Sequence, residues 1–333
     1  MRPLRWGIVG TAKIALTRVI PAMATSKLCQ ITAIASRDGA RARSVAQQLG
    51  IPKAYGSYEE LLADPDIDAI YNPLPNHLHV PLSLQAAERG KHVLCEKPIA
   101  LTAAAVESLI AARDRYGVVM AEAFMIRHHP QWQKTRALLQ DGALGPVRSV
   151  VGMFSYMNAD PENIRNKAEM GGGSLYDIGV YPIVAARYLF GAEPLRVTAQ
   201  SSVDPTFGTD LLTSALLTFP QGQALFTCST QSVTYQRIQV LCARGRIELR
   251  VPFNAPPEME NQLWVDNGAK LADQSARAVA VPAADQYQQQ GEAFSRAVLE
   301  GAPLEFGLED SLANMRVVDA LFTAARTQSW INV

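Results

Sequence analysis

The residues with the clearest chemical potential are the adjacent Glu96, Lys97 and Pro98, which follow the apolar run from Val93 to Cys95. That run predicts a short strand, and ligands of open α/β sheets bind beyond the carboxyl ends of the strands. Because Pro98 disfavours the helical conformation at Lys97, the lysine amine would project from a fixed backbone toward such a ligand. Taken alone, the same residues also suit a surface Glu–Lys pair that closes a strand.

A second cluster combines glycines with a carboxylate and a phenol, in the stretch from Gly171 to Pro182. The glycines at its start would let another backbone, or a ligand, approach closely. Asp177 and Tyr181 are four residues apart and would share one face of a helix. Pro182 disfavours helix at the preceding residue and removes a donor, so we expect a kink there. A buried Tyr–Asp hydrogen bond without any chemistry is the alternative explanation.

The first predicted strand leads into a glycine turn of the kind that binds dinucleotides. The apolar run from Leu4 to Val9 ends at Gly10, and alanines stand where the fingerprint has its second and third glycines. Alanine is small enough for a pyrophosphate to approach and for a helix to pack closely. A plain strand–helix turn is the alternative. The residues assigned to the cofactor in this turn are Gly10, Thr11, Ala12, Lys13 and Ile14.

The end of the second predicted strand indicates which nicotinamide cofactor would bind. An NAD-binding fold usually places an acidic residue there to hold the ribose hydroxyls. This chain has Ser36 and Arg37 instead, with Arg41 one helical turn further on. A guanidinium and a hydroxyl suit a 2′-phosphate, which a carboxylate would repel. These residues predict NADP, and Asp38 leaves the use of NAD open. An ordinary solvated turn that caps a helix is the alternative.

A proline-rich loop follows the predicted strand near Tyr71 and lies at another strand's carboxyl end. Two prolines stiffen this loop, and we expect it to form a floor on the nicotinamide side. A rigid turn with Asn76 as the helix N-cap is compatible with the same role. The residues assigned to the cofactor in this loop are Pro73, Leu74, Asn76 and His79.

Composition excludes several classes of protein. The chain has 333 residues, of which 48% are hydrophobic and 19% are charged, and its formal net charge is +0. A neutral chain lacks the basic footprint of a protein that binds nucleic acid or an anionic membrane. The four cysteines have no metal-ligand spacing, so we expect no metal site. The chain enters a strand almost at once and has no membrane-length apolar run, so we expect a cytoplasmic protein.

The order of the predicted elements divides the chain into two domains. Strands and helices alternate up to residue 122, which predicts a doubly wound parallel sheet at 1–122. The rest, 123–333, reads as an α+β domain with a large, mostly antiparallel open sheet for substrate binding and oligomerisation. Residues 254–284 are expected to be irregular and to form a loop or an edge region. Two helices, at about 285–300 and 308–327, close the chain, and the second is placed to pack back on the first domain.

These motifs together make the chain resemble the Gfo/Idh/MocA oxidoreductase family. The Glu-Lys-Pro sequence at 96–98 matches a motif of the family, and residues 171–181 match its Gly-Gly-Gly and Asp-Ile-Gly pattern. Residues 123–130 and the Asn-Ile-Arg sequence at 163–165 are similar to one branch of it. That branch contains NADP-dependent xylose dehydrogenase, glucose–fructose oxidoreductase and dimeric dihydrodiol dehydrogenase.

Three single positions bear on this resemblance. Tyr181 stands where many members carry histidine, and it points to the same branch. Ala12 departs from the glycine fingerprint, and Ile126 stands where tyrosine is common. The resemblance implies a Rossmann domain for NADP, with NAD still open, and an open-sheet domain that often mediates dimers or tetramers. We therefore expect a homodimer or homotetramer formed through the second sheet.

The resemblance also implies roles for the site residues. A sugar dehydrogenase must remove a hydroxyl proton while a hydride leaves the same carbon. Tyrosine, with an ordinary pKa of ~10, is a poor base near neutrality, but a nearby ammonium favours the phenolate. Tyr181 is thus expected as acid/base, Lys97 as its electrostatic partner and Asp177 as the residue that orients the sugar. Glu96 and Lys97 join the cofactor residues. The candidates for lining the sugar pocket are Arg127, His128, Asn158 and Arg165, the first two being equally compatible with a structural role.

The expected activity is hydride transfer between NADP and a sugar or related polyhydroxylated carbon. Such substrates are an aldose or pyranose, for example xylose or glucose, or a dihydrodiol. The alternative is a non-catalytic, cofactor-dependent sugar sensor or regulatory binding protein of the same fold. A pure binding protein has no need of an acid/base pair, so Lys97, Asp177 and Tyr181 favour the enzyme.

Overall fold

Six short apolar strands build the first sheet in the structure, a computed structural model that describes residues 2–333. All their pairings are parallel, and the strand order is β3-β2-β1-β4-β5-β6. The order therefore reverses between β1 and β4, which is where doubly wound folds bind dinucleotides. The strands are β1 (Leu4–Val9), β2 (Cys29–Ala35), β3 (Lys53–Tyr55), β4 (Ala69–Asn72), β5 (His92–Glu96) and β6 (Met120–Ala123).

Side-chain caps start most of the helices that connect these strands. Asp38, Ser57 and Thr102 each accept hydrogen bonds from the first free backbone N–H groups of the helix that follows. The strand order and the parallel pairing confirm the predicted doubly wound sheet. The helices are α1 (Ile20–Ala24), α2 (Gly39–Leu49), α3 (Tyr58–Ala63), α4 (His79–Glu88) and α5 (Ala103–Tyr116).

Nine strands build the second sheet, in the order β14-β13-β12-β11-β7-β10-β9-β8-β15. Within this sheet, β7 and β10 are the one parallel pair among the described strands, so the sheet is mostly antiparallel, as predicted. The strands are β7 (Val147–Met157), β8 (Arg196–Val203), β9 (Asp210–Phe219), β10 (Gly222–Ser229), β11 (Gln231–Cys242), β12 (Arg246–Leu249), β13 (Asn261–Asp266), β14 (Arg277–Val281) and β15 (Ile331–Asn332).

The prediction that residues 254–284 are irregular is wrong for two parts of this range. β13 and β14 lie there and extend the sheet beyond β12. Leu263 and Val265 are buried on one side of β13, with 0% and 5% of their surface exposed. Prolines and small residues around β13 make this alternation hard to recognise in the sequence. Pairing with β12 stabilises the strand.

One face of the second sheet is packed and the other is more exposed. Val150 and Phe154 of β7 point to the packed side, whereas Met153 between them is 45% exposed. The helices α6 (Pro130–Gln140) and α7 (Val180–Phe190) pack on the strands, α6 against β13 and β14 and α7 against β7. The alternation of buried and exposed side chains along β7 is the period-two pattern of a strand with one solvated face.

The two structural units are not simply the two halves of the chain. The first unit is the chain up to Met125 together with Asp285–Leu312, and the second is Ile126–Ala284 with Ala313–Val333. The helix α8 (Gln286–Glu300) therefore belongs with the first sheet, although the sequence placed it in the second domain. The ring of Phe294 lies 5.2 Å from that of Trp6 in β1, and such burial explains why α8 returns.

The last long helix, α9 (Leu308–Thr327), begins in the first unit and continues in the second. No helix within residues 2–333 is long and apolar enough to cross a membrane. In the same part of the chain, no group of three or more His, Cys, Asp or Glu side chains could hold a metal ion.

Candidate active site

The turn after β1 has the geometry of a dinucleotide cradle. Gly10 has a φ of +90°, and its N–H donates to the Ala35 carbonyl at 2.8 Å. A Cβ at this position would lie 2.8 Å from Leu74 Cδ2, so only glycine fits. Helical structure begins at Lys13, and its first backbone N–H groups can receive a phosphate. The alanine at position 12 does not prevent this geometry, and the turn fits the pyrophosphate of a dinucleotide.

Two exposed arginines lie beside that turn. The Arg41 Nε donates to Thr11 Oγ1 at 2.6 Å, which joins the end of β2 to the glycine turn. Arg37 lies near Tyr58, and its charge partly offsets the burial that raises the pKa of that phenol. Asp38 Oδ1 accepts from the backbone of Ala40 and Arg41 at 2.9 and 3.1 Å, so this oxygen caps α2. The surroundings are therefore cationic and fit a 2′-phosphate.

His79, predicted to contact the cofactor, is instead held inside the first unit. It is 1% exposed, and its Nδ1 and Nε2 lie 2.8 Å from the Pro98 carbonyl and 2.6 Å from the Leu74 carbonyl. Burial lowers its pKa to about 4. His79 thus connects the proline-rich loop, at Leu74, to the segment after Lys97, at Pro98. Asn76 opens a short 3-10 turn, and the residue at the N-cap of α4 is Leu78, so the suggested cap at Asn76 is wrong.

Lys97 follows the end of β5 and is half-buried, with a cis peptide bond to Pro98. Its backbone N–H donates to Glu96 Oε2 at 3.3 Å, and the Tyr71 hydroxyl donates to Glu96 Oε1 at 2.6 Å. Both oxygens of Glu96 are therefore used within the protein, which fixes the strand end that carries Lys97. Tyr71 is completely buried, and a buried hydroxyl needs an acceptor, which Glu96 provides.

The second unit gathers Asp177 with two partners. The Tyr156 hydroxyl donates to Asp177 Oδ2 at 2.5 Å, and Arg165 Nε lies 2.9 Å from Asp177 Oδ1. Burial, and then the charge of Asp177, raises the pKa of Tyr156, so this phenol is a hydrogen-bond donor. Asp177 is 8% exposed. Asp177 and Arg165 were expected from the sequence, whereas Tyr156, which lies in an alternating part of β7, was not.

The glycines before Asp177 are required by the protein's own packing. A Cβ on Gly172 would lie 2.5 Å from the Arg165 carbonyl oxygen, and a Cβ on Gly173, whose φ is +111°, would collide with the carboxylate of Asp210. Asp210 Oδ2 accepts from Ser174 Oγ at 2.5 Å and from the Leu175 N–H at 2.8 Å. The glycines thus let another backbone approach, which is one of the two possibilities that the sequence left open.

Tyr181 lies in an aromatic setting at the start of α7. It is 6% exposed, and its ring lies 5.5 Å from that of Phe154 and 5.3 Å from that of Phe253. A π-helical turn at Leu175–Gly179 runs directly into α7, so Pro182 lies within a continuous helical segment, and its missing N–H falls just after the π-turn. The expected disturbance is therefore a π-turn before Tyr181, and such turns are frequent at functional sites.

The remaining predicted residues divide into two groups. Asn158 lies near Tyr156 and so belongs with the Asp177 cluster. Arg127, which is 6% exposed, and His128 lie in a 3-10 turn before α6. His129, which the sequence analysis did not single out, is fully buried, and its Nδ1 accepts from the Gln131 N–H at 3.1 Å as the cap of α6.

The candidate residues therefore form two groups, one in each unit. Lys97 and the cofactor residues belong to the first unit, and Asp177, Tyr181, Arg165 and Tyr156 belong to the second. The first group has the features of a dinucleotide site. The second offers a phenol beside a carboxylate and a guanidinium, which is a set suited to proton transfer and to binding hydroxyl groups.

Two parts of the chain match known family models. Residues 4–124 match the family described as an oxidoreductase family with an NAD-binding Rossmann fold, and residues 132–248 match the GFO/IDH/MocA C-terminal domain. An uncharacterized oxidoreductase of Rhizobium meliloti is 49% identical, with 99% of each chain covered. D-xylose 1-dehydrogenase (NADP(+)) 2 of Haloferax volcanii is 38% identical, with 97% of this chain and 98% of that protein covered.

A solved structure extends the likeness to three dimensions. A tyrosine-to-phenylalanine variant of a 3-ketoreductase from Actinomadura kijaniata, in complex with TDP-benzene and NADP, superposes with a TM-score of 0.91. It is 33% identical and the match covers 97% of this chain and 98% of that chain. The resemblance found in the sequence is thus confirmed: the chain belongs to the GFO/IDH/MocA oxidoreductase family and contains its NAD-binding Rossmann domain.

Proposed function

We propose that this oxidoreductase transfers a hydride between NADP(H) and a hydroxyl-bearing carbon of a sugar or related polyhydroxylated compound. The substrate class is an aldose or pyranose, such as xylose or glucose, or a dihydrodiol. The observation that carries the proposal is the second-unit cluster, in which Tyr181 follows Asp177 and its partners Arg165 and Tyr156. A relative named as an NADP(+)-dependent D-xylose dehydrogenase supports the same class.

Tyr181 is the proposed acid/base. In the oxidation direction its Oη takes the proton of the substrate hydroxyl as the C–H electron pair leaves the same carbon. The nicotinamide, when bound, supplies the hydride acceptor. We propose that the Lys97 ammonium acts on the same substrate oxygen and favours the phenolate of Tyr181. Reduction runs the same steps in reverse, with Tyr181 returning its proton to the new alkoxide.

The choice of Lys97 and Tyr181 has independent support. In the related 3-ketoreductase, structures exist with a lysine replaced by alanine and with a tyrosine replaced by phenylalanine. Those two positions are separated along that chain by the same number of residues as Lys97 and Tyr181 are in this one. Equal spacing in two chains that align over nearly their whole length favours a common role for each pair.

The Asp177 cluster is the proposed holder of the sugar. Both oxygens of Asp177 already accept hydrogen bonds, from Tyr156 and Arg165. A carboxylate has about four acceptor positions, so Asp177 retains capacity for a substrate hydroxyl while its partners keep it in place. Asn158, which lies near Tyr156, is proposed to border the same pocket. Arg127 and His128 are proposed to line it from the turn before α6.

A substrate panel tests the proposed activity. The purified protein is mixed with NADP or NADPH and with aldoses, inositols, dihydrodiols or keto-sugars, and the absorbance of reduced nicotinamide is followed. We expect turnover with at least one polyhydroxylated compound. If no compound is turned over while a sugar changes the binding of a protein partner, the enzyme proposal is wrong and the sensor is favoured.

The coenzyme preference gives a separate prediction. We expect NADP(H) to bind more tightly than NAD(H), and Arg37→Ala to weaken NADP(H) binding by about tenfold to a hundredfold, because a charge-assisted hydrogen bond contributes roughly 1.5–3 kcal/mol. Fluorescence titration of each coenzyme measures this. Arg89→Ala, an exposed arginine at the end of α4, is the matched control. A clear NAD(H) preference of the wild type would contradict the assignment.

The exposed face of the second sheet is the proposed oligomer interface. Met153, Leu225 and Leu241 are 45%, 41% and 41% exposed, and they lie on the neighbouring strands β7, β10 and β11. Apolar side chains grouped on a sheet face favour burial against another surface. We propose a second copy of the chain as that surface, giving a homodimer or a homotetramer.

Charged substitutions test the interface. The double variant Met153→Lys/Leu225→Lys would bury two ammonium groups in the proposed contact, so we expect it to have the mass of a monomer. Light scattering coupled to gel filtration gives the mass. Leu271→Lys, at a loop residue that is 90% exposed, should leave the mass unchanged. A wild type that is monomeric at high concentration would exclude the proposed assembly.

A further inference from the structure

We propose that Arg165 and Asp177 form a charge pair that tunes the proton affinity of Tyr181 from within the second unit. The inference rests on the proposed acid/base role of Tyr181, and it adds to Lys97 a cation that belongs to the same structural unit as the phenol. Arg165 would then be more than part of a sugar-binding surface. It would be a positioning residue whose permanent charge acts on the proton-transfer group.

The placement of Arg165 is determined by backbone as well as side-chain contacts. Its carbonyl oxygen accepts from the Gly173 N–H at 2.8 Å, and Gly172 packs against the same carbonyl. Its Nε lies 2.9 Å from Asp177 Oδ1. The backbone of Arg165 is thus held by the glycine-rich turn, and its guanidinium is held by Asp177. Asp177 lies in the helical segment that carries Tyr181 four residues later.

Asp177 and Tyr181 lie on consecutive helical turns, one in the π-turn and the other at the start of α7. Side chains four residues apart on a helix face one another. A guanidinium bound to the first therefore lies beside the second. The pKa of Arg165 is raised, first by the charge of Asp177 and to a smaller extent by Tyr156 and Tyr181, as this arrangement requires.

The aromatic side chains near Tyr181 carry no charge. Phe154 from β7 and Phe253 from the segment after β12 contact its ring and carry no charge. Tyr156 is kept protonated, because burial and the charge of Asp177 raise its pKa. Arg165 and Asp177 carry opposite charges, so they act on the phenol with opposite signs.

The signs give the expected pH dependence. Oxidation needs the phenolate, so kcat rises with pH as Tyr181 loses its proton. Removing the Arg165 charge leaves the Asp177 carboxylate unopposed, disfavours the phenolate and moves the midpoint to higher pH. Removing the Asp177 charge leaves Arg165 unopposed and moves the midpoint to lower pH. A charge within about 4–6 Å of a titratable group shifts its pKa by about one unit or more. Because the Arg165 side chain is 42% exposed, solvent screens its charge, and we expect a shift of about one unit.

The test compares Arg165→Gln, Asp177→Asn and the double variant, with kcat of oxidation measured against pH at saturating NADP and sugar. We expect an upward midpoint shift of about one unit, a downward shift of similar size, and a midpoint close to wild type in the double variant. Arg165→Lys keeps the charge and should keep the midpoint even where kcat falls. Arg148→Gln, at an exposed residue of β7, is the matched control.

A spectroscopic titration covers variants with little activity. The tyrosinate absorbance of each variant, minus that of the same variant carrying Tyr181→Phe, reports the ionisation of Tyr181 directly. Shifts of the same sign in both single variants, or none in either, would overturn the inference and leave the pair with a structural role only. If Tyr181→Phe keeps full activity and the same pH profile, the proposed acid/base function itself has failed.

Discussion

Tyr181→Phe is expected to lower kcat by about 10²–10⁴-fold, which is the usual contribution of a positioned proton-transfer group. The substitution removes only the hydroxyl, so the ring keeps its packing against Phe154 and Phe253. Because the cofactor residues belong to the first unit, we expect the dissociation constant of NADPH to stay unchanged. The loss should appear in kcat and in kcat/KM alike, as for an interaction made only in the transition state.

Steady-state kinetics on the substrate found in the panel, together with NADPH titration, measure both quantities. Tyr188→Phe is the matched control, since Tyr188 lies on the same helix and contacts Trp132 and Arg136 through its ring. It should retain wild-type kcat. Normal turnover by Tyr181→Phe would mean that another group moves the proton, and the assignment of Tyr181 would be wrong.

Lys97→Met is expected to be about as damaging as the loss of the tyrosine. Methionine is similar in length to lysine, so the variant removes the ammonium while it keeps most of the side-chain volume. Without that charge, the phenolate of Tyr181 loses the cation proposed to stabilise it, and the substrate oxygen loses a donor. We expect kcat to fall by about 10²–10⁴-fold at saturating cofactor.

The contacts around Lys97 allow this loss to be separated from misfolding. Glu96 remains held by Tyr71, and Pro98 by His79, in the variant. The melting temperature should therefore change little. Lys270→Met, at an exposed loop residue, is the control for a lost lysine charge. If Lys97→Met keeps its kcat, Lys97 returns to the role of a surface residue that closes a strand.

Local patterns were sufficient for much of the fold. The apolar run before Gly10 predicted β1, and the alternation of strands and helices up to residue 122 predicted the parallel sheet, because both signals act between residues that are near in sequence. The range 254–284 was mispredicted, since β13 depends on pairing with β12 more than on its own composition. The return of α8 to the first sheet was not visible either, because the contact of Phe294 with Trp6 joins opposite ends of the chain.

The candidate site shows the same division. Asp177, Arg165 and Lys97 could be named because their types and motifs carry chemistry wherever they occur. Tyr156 could not, because a tyrosine in an alternating strand usually serves packing, and only its 2.5 Å contact with Asp177 distinguishes it. His79 was assigned to the cofactor from its loop, whereas its burial between two carbonyl groups shows that it holds that loop in place.

The sequence by itself determined the family, the two kinds of sheet and the residue types available for hydride and proton chemistry, because these depend on periodicity and on short motifs. Only the tertiary structure decided which partners those residues have. Arg165 and Tyr156 meet at Asp177 because a glycine-rich turn and the strand β7 come together, and no property of the separate segments specifies that contact. Burial then raises the pKa of Tyr156 and keeps this phenol protonated, and burial is a property of the folded chain alone.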